Sequence, residues 1–153
     1  ITIWIIGEGV KKEYLKSQIE KHNLSNIKLL PYQDRKYMPA INLFADFHFI
    51  AMDKSMENDG FPSKVYSIMA SGRPMVIVSS ENTPITSFLK ETETALLVTD
   101  HSLSGFKDAV LKLAFDKELE VEMGKNGRKI IEENFTKAHV INHYINLIEN
   151  AIK

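Results

Sequence analysis

The chain has 153 residues, 44% of them hydrophobic and 25% charged, an ordinary globular composition that excludes disordered and fibrous classes. At roughly 150 residues per domain it reads as one domain spanning residues 1–153. Nineteen Lys plus Arg against twenty Asp plus Glu give a net charge of −1, so no global field draws in nucleic acid or anionic lipid and any anion site must be local. The absence of cysteine removes a disulfide framework, a thiolate nucleophile and Cys-based zinc sites, and points to a cytoplasmic compartment.

The chain opens with Ile rather than Met, inside the apolar run Ile1–Ile6, and is expected to be a domain of a longer protein, without a signal peptide. No apolar run approaches the 18 residues of a membrane span, so no transmembrane segment is expected. Five short apolar segments predict strands: Thr2–Ile6, Ile27–Leu30, Phe47–Ile50, Met75–Val78 and Ala95–Val98. They are continuous rather than alternating, as in parallel strands covered on both faces. Helical stripes lie between them: Val10, Tyr14, Leu15 and Ile19; then Ala40, Leu43 and Phe44 behind Pro39; then Val65, Ile68 and Met69, stopped by Gly72-Arg73-Pro74. After Val98 only helical stripes follow, through Leu103–Leu113, Leu119–Ile131 and Val140–Ile152, with Asp100 or Ser102 capping the first and Thr136 the last. The strand–helix alternation predicts a doubly wound, three-layer α/β domain with a parallel sheet, right-handed crossovers and C-terminal helices.

In such sheets ligands sit at the carboxyl ends of the strands, which directs attention to two loops. Gly7-Glu8-Gly9 follows the first strand, and its glycines allow a tight turn and close approach to a ligand. The dinucleotide fingerprint fails, because its third glycine falls on Lys12 and the second strand ends in Leu30-Pro31 without an acidic residue for a ribose. The second loop is Asp59-Gly60-Phe61-Pro62-Ser63-Lys64. Gly60 permits unusual backbone angles, Pro62 suits a first helical turn, and a helix starting at Ser63 and Lys64 brings N–H groups, a hydroxyl and an ammonium to one point, as a phosphate requires. The alternative is a plain N-cap with a solvated lysine.

The run from Gly60-Phe61-Pro62-Ser63-Lys64 to Ile68-Met69-Ala70-Ser71-Gly72-Arg73-Pro74 resembles the nucleotide-sugar site of GT-B glycosyltransferases of retaining family 4, the glycosyl transferases group 1. The likeness is greatest to the branch serving capsule, colanic acid and O-antigen synthesis. Supporting matches are Trp4–Gly9, Ile27–Gln33, Ala45-Asp46, Met123-Gly124, Asn126-Gly127-Arg128 and Glu133-Asn134-Phe135-Thr136, in the family's order and across the chain. The resemblance implies a Rossmann-like C-terminal half that binds the donor, partnered by an N-terminal acceptor-binding domain. It implies transfer of a sugar from a nucleotide diphosphate sugar, in the first place a UDP-sugar, to a polysaccharide or lipid-linked acceptor, without a metal or other cofactor. It also implies a cytoplasmic enzyme, peripheral to the inner face of the membrane, that is inactive as this domain alone.

Carried over by position, the resemblance assigns Gly60, Phe61, Pro62, Ser63 and Lys64 to the diphosphate and Asp59 to the sugar, with Asp59 and Lys64 as catalytic residues. Gly7, Gly9, Pro31, Tyr32 and Gln33 line the nucleotide, Tyr32 as a stacking surface for the base. Asp59 and Ser67 stand at the two ends of the family's Glu-x7-Glu motif. Both are departures: Asp59 keeps a carboxylate on a shorter stem, whereas Ser67 offers a neutral hydroxyl where the family grips the ribose with a charge. Thr83, with the N–H groups of Ile85 and Thr86, stands where the family usually has a glycine pair. The Arg and Lys that many members place on the pyrophosphate would lie upstream of Ile1.

Other signals carry less. His139 and His143 share a helix face without the Glu of a metalloprotease motif, and His48, in an apolar strand, reads as a hydrogen-bonded core or strand-end histidine. The carboxylates at Glu91 and Glu93 and at Glu118, Glu120 and Glu122 stand beside Lys90, Lys117 and Lys125 and read as solvated helix faces. No Gly-x-Ser-x-Gly elbow or phosphate loop with Gly-Lys-Ser/Thr occurs. The rival function class is a non-catalytic nucleotide-binding or partner-docking module; a flavodoxin-like receiver lacks its acidic cluster after the first strand.

Overall fold

The structure is a computed structural model that describes residues 1–56 and 61–152. It divides into two compact units, Ile1–Ala40 and Ile41–Lys153.

In the first unit, β1 (Ile3–Ile6) and β2 (Ile27–Leu30) pair in parallel with Ile3 opposite Ile27 and Ile6 opposite Leu30, and α1 (Lys12–Lys21) connects them. The helix is shorter at its start than its apolar stripe suggested. Val10 precedes it and is fully exposed, Tyr14 is exposed as well, and Leu15 and Ile19, one turn apart, make its half-buried face. The strands depart from the expectation of two covered faces. Trp4 and Lys28 are register partners and both exposed, the ammonium lying 5.9 Å from the indole centroid, a cation–π contact that gives an open face its own pairing.

The boundary between the units falls within α2 (Met38–Phe44). Its expected apolar face is the wrong one: Ala40, Leu43 and Phe44 are exposed and Asn42 is buried. Asn42 is the side turned to the second unit's own strand, where its carbonyl receives a hydrogen bond from His48 Nε2 at 3.1 Å. A carbonyl only accepts, so Nε2 carries the proton. Burial holds the His48 pKa below its ordinary value of 6.5, partly opposed by this hydrogen bond and assisted by the positive charge of Arg73. His48 is thus the hydrogen-bonded strand-end histidine the sequence predicted.

The second unit holds a parallel sheet in the order β3 (His48–Ala51), β4 (Met75–Val78), β5 (Ala95–Val98). The run Met75-Val76-Ile77-Val78 serves two cores because alternate strand residues point to opposite faces. Met75 and Ile77 pack with Ile50, Val65, Ile68, Met69, Ile85 and Leu89, residues of α3 (Lys64–Ala70) and α4 (Pro84–Thr92) among them. Val76 and Val78 pack with Phe106, Leu113, Leu119 and Met123, from α5 (Leu103–Phe115) and α6 (Lys117–Asn134). This unit therefore has the expected three layers. Ser102 caps α5 by accepting from Gly105 N and Thr136 caps α7 (Lys137–Ala151) by accepting from His139 N, while Asp100 accepts from Ser102 N, which lowers its carboxyl pKa. Gly72, at φ 67, ends α3 with its N–H on Met69 O. The last stripe forms its helix, but Val140, Ile141, Tyr144 and Ile148 are exposed along it. Among the described residues no helix is long and apolar enough to cross a membrane.

Candidate functional site

In the first unit the predicted nucleotide-lining residues collect at one edge. Since β1 and β2 are parallel with Ile6 opposite Leu30, Gly7 and Pro31 leave the sheet side by side, and Gly7 N extends the ladder by donating to Leu30 O at 3.0 Å. Gly7 sits at φ 137, a conformation that L side chains rarely adopt, and an added Cβ at Gly7 or Gly9 meets nothing within 4 Å. The constraint at Gly7 is therefore in the backbone angle, and the space over both glycines is open. Glu8 and Lys12 neutralise each other across one turn at 2.7 Å. Tyr32 is 74% exposed, so its ring is available to stack, and Gln33 folds its amide back onto Pro31 O at 2.9 Å.

In the second unit the expected residues gather around the start of α3. Asp59 and Gly60 lie outside the described residues. Phe61 is not a surface residue of the turn: its ring stacks on Tyr66 at 5.1 Å and meets Phe88 edge-on at 5.3 Å, in an aromatic cluster that Phe135 completes. It anchors the turn. Pro62 O accepts from Val65 N at 3.0 Å, closing the first turn. Ser63 occupies the N-cap position at φ −57, ψ −24, and its side chain forms no cap bond, because a capping hydroxyl needs the extended backbone that Ser63 lacks. The plain-cap alternative is thereby missing its defining bond. Lys64 is exposed and makes no ion pair with any described residue. A cation in a first turn is unfavourable unless an anion joins it. Ser67, one turn on, is exposed and donates its hydroxyl to Lys64 O at 2.8 Å, the back-bonding that helical serines adopt.

Thr83 belongs to the same carboxyl edge, since it follows β4, but its chemistry is different. It is 4% exposed. Ser79 Oγ lies at 3.1 Å, Thr86 Oγ1 at 2.8 Å and Thr86 N at 3.3 Å from its hydroxyl, while Thr86 Oγ1 donates to Ser80 O at 2.8 Å. One proton order satisfies all of these: Ser79 donates to Thr83, Thr83 to Thr86, and Thr86 to the carbonyl. Both lone pairs and the proton of Thr83 are then used. The Thr83 hydroxyl caps α4.

Sequence reading missed how α3 is held at its other end. A Cβ on Gly124 would lie 2.2 Å from Gly72 O and one on Gly127 3.3 Å from Met69 Cα, so α6 touches the α3 stop backbone to backbone. Arg128 Nη1 donates to Ala70 O at 2.5 Å while its Nε is held by Glu132 at 2.6 Å. Glu120, read as solvated, is buried and paired with Lys117 at 2.5 Å and Arg73 at 3.7 Å; the hydrogen bond to Glu120 raises the Lys117 pKa. Arg73 Nη2 also reaches Leu43 O at 2.7 Å. The available signal was the pair Gly124 and Gly127, three residues apart, which leaves two neighbouring positions on one face of α6 without a side chain.

The profile of the family described as glycosyl transferases group 1 matches residues 1–130. The chain belongs to this family. WcaI of Escherichia coli (strain K12), whose name places it among glycosyl transferases of colanic acid biosynthesis, is 27% identical over 81 residues, covering 53% of this chain and 20% of WcaI. The chain thus spans a small part of that relative. Among solved structures, TarM from S. aureus superposes with a TM-score of 0.77 at 22% identity, over 96% of this chain and 28% of TarM. Anabaena Alr3699/HepE, solved in complex with UDP-glucose, gives 0.75 at 16% identity over 97% of this chain and 41% of its own. WaaG, involved in lipopolysaccharide biosynthesis, gives 0.72 at 10% identity, over 88% and 34%. These likenesses establish the fold as that of GT-B Rossmann-like domains, as the sequence resemblance implied.

Proposed function

We propose that residues 1–153 form the C-terminal, donor-binding domain of a retaining glycosyltransferase that takes a nucleotide diphosphate sugar, a UDP-sugar in the first place, for transfer to a polysaccharide or lipid-linked acceptor held by a separate N-terminal domain. The observation that carries this reading is the start of α3, where an exposed Lys64 without an ion pair among the described residues stands beside a Ser63 hydroxyl that makes no cap bond, in a chain of the family above. Family membership supplies the reaction class; the solved complex of Alr3699/HepE with UDP-glucose supports the choice of donor.

In this reading the leaving group is a nucleoside diphosphate whose negative charge grows as the glycosidic bond breaks. A lysine and hydroxyl fixed at the diphosphate stabilise that charge more in the transition state than in the ground state, which is what accelerates the step. Lys64 takes the role a metal ion has elsewhere, so no cofactor is invoked. Asp59 is assigned to the sugar hydroxyls, and Gly7, Gly9 and Pro31–Gln33 to the nucleoside. With the acceptor domain on other residues, this chain holds a donor and transfers nothing alone. The composition is consistent with a cytoplasmic protein that meets the membrane's inner face through other segments.

Titration calorimetry with UDP, UDP-glucose, GDP and GDP-mannose tests the reading. One nucleotide pair is expected to bind in the micromolar range, about −8 kcal/mol; silence toward all four contradicts it. A non-catalytic module is the second reading, favoured by Ser67, whose neutral hydroxyl is turned back onto its own helix. It predicts binding of a nucleotide without discrimination in favour of the sugar-bearing form.

A further inference from the structure

Helix α7 has little packing to hold it. Its 15 residues include none that is buried, and a helix of about 12–15 residues is marginal in water unless something beyond its own propensity supports it. Two histidines stand in its first turns. His139 and His143 are both exposed, and their (i, i+4) spacing makes them neighbours on one face with Cβ atoms about 5–6 Å apart. From this placement two imidazoles reach one zinc ion in H-E-x-x-H helices. Val140 stands where such helices carry their Glu, so the pair has the ligands of such a site without its general base.

The ring of His139 already has an orienting partner. Thr136 Oγ1, which caps the helix by accepting from His139 N at 3.3 Å, lies 2.9 Å from His139 Nδ1. A hydroxyl oxygen has two lone pairs, so Thr136 can take Nδ1–H beside the cap bond, and in that tautomer Nε2 is the lone-pair atom. Such an outer bond is what fixes the ring of a metal-binding histidine. The charges also suit a cation: from Ala138 to Ala151 the helix carries no Lys or Arg, Glu149 is its one acidic residue, and Asn142 and Asn146 share the polar side with the histidines. Among the described residues no group of three or more His, Asp or Glu is placed to hold a metal ion, so an ion on this pair keeps water in its other positions. We propose that His139 and His143 form a two-histidine site for a divalent transition-metal ion of the kind imidazole prefers, Zn²⁺ or Cu²⁺, and that the ion braces the first turns of α7. The site is no part of the transfer reaction and stands independently of the donor assignment.

Calorimetric titration of the 153-residue chain with Zn²⁺ alone tests it, with Mg²⁺, which seeks oxygen ligands, as the control. One Zn²⁺ per chain is expected to bind, and His139→Ala or His143→Ala is expected to weaken it at least about tenfold, since each breaks the chelate. His22→Ala, which removes an exposed histidine elsewhere in the chain, is expected to leave binding unchanged, and Mg²⁺ to give no signal. With free Zn²⁺ at ten times its dissociation constant, amide hydrogen exchange over residues 141–145 is expected to slow about tenfold, because only the folded helix holds the ion. Absence of Zn²⁺ binding, equal binding of Mg²⁺, binding that survives both α7 substitutions or is lost with His22→Ala, or binding that leaves the exchange of α7 unchanged overturns the proposal.

Discussion

Helices α3 and α4 begin at the same edge of one sheet, each after a parallel strand, and their first turns are built in contrary ways. At α4, Thr83 has the extended backbone of a true cap, and every bonding capacity of its buried hydroxyl is met by Ser79 and Thr86. At α3, Ser63 has helical angles and no cap bond, and Lys64 is exposed beside it without a partner among the described residues. Both starts offer a hydroxyl and N–H groups, so residue type alone does not separate them. What separates them is whether the polar groups are already engaged: at α4 they are, and at α3 the Ser63 hydroxyl makes no cap bond and the Lys64 ammonium makes no ion pair among the described residues.

The comparison can be broken from several sides. Gly124→Ala strikes what holds α3 in place: a methyl 2.2 Å from Gly72 O forces backbone apart, and the chain should lose about 3 kcal/mol of stability, read by urea denaturation. Thr83→Ala should cost about 1–2 kcal/mol as a lost cap, with UDP-glucose affinity unchanged; a loss of affinity without a loss of stability would return Thr83 to the ligand. Ser67→Glu should tighten UDP binding severalfold by restoring a charged acceptor where the family places the ribose contact, and equal or weaker affinity would put the ribose elsewhere.

A smaller effect concerns the β3 end of the same unit. The folded His48 takes up its proton at a lower pH than the ordinary 6.5 of the unfolded chain, so below that value the unfolded state binds more protons and stability falls with falling pH. Thermal unfolding of the natural chain should show a loss between about pH 6.5 and pH 5, and His48→Gln should flatten that part of the profile. A profile unchanged by the substitution would contradict the neutral, buried assignment.

The strands β2, β4 and β5 lie where their short apolar runs placed them, because such runs between turns are of strand length. The helix faces were less legible. A stripe shows that a helix has an apolar side but not what meets it, and in α2 the buried position is Asn42, whose backbone carbonyl accepts from His48. The recognised run from Gly60 to Pro74 proves to have two halves with different work. Pro62 to Lys64 forms the open start, whereas Ala70, Gly72 and Arg73 are engaged by Arg128, Gly124, Glu120 and Leu43. That division depends on contacts between residues far apart in the chain, as between Ala70 and Arg128, which no local pattern reveals. The side chains of Phe61 and Thr83 are engaged in packing and capping, which only burial could show.

The central claim is that Lys64 at the start of α3 binds the donor diphosphate, and its most direct test is calorimetric titration of the natural chain and of Lys64→Ala with UDP-glucose. The account predicts at least a tenfold weaker dissociation constant for the variant, about 1.4 kcal/mol, with thermal stability within about 0.5 kcal/mol of the natural chain, as for a surface substitution. Equal affinity for UDP-glucose in the two proteins would contradict it.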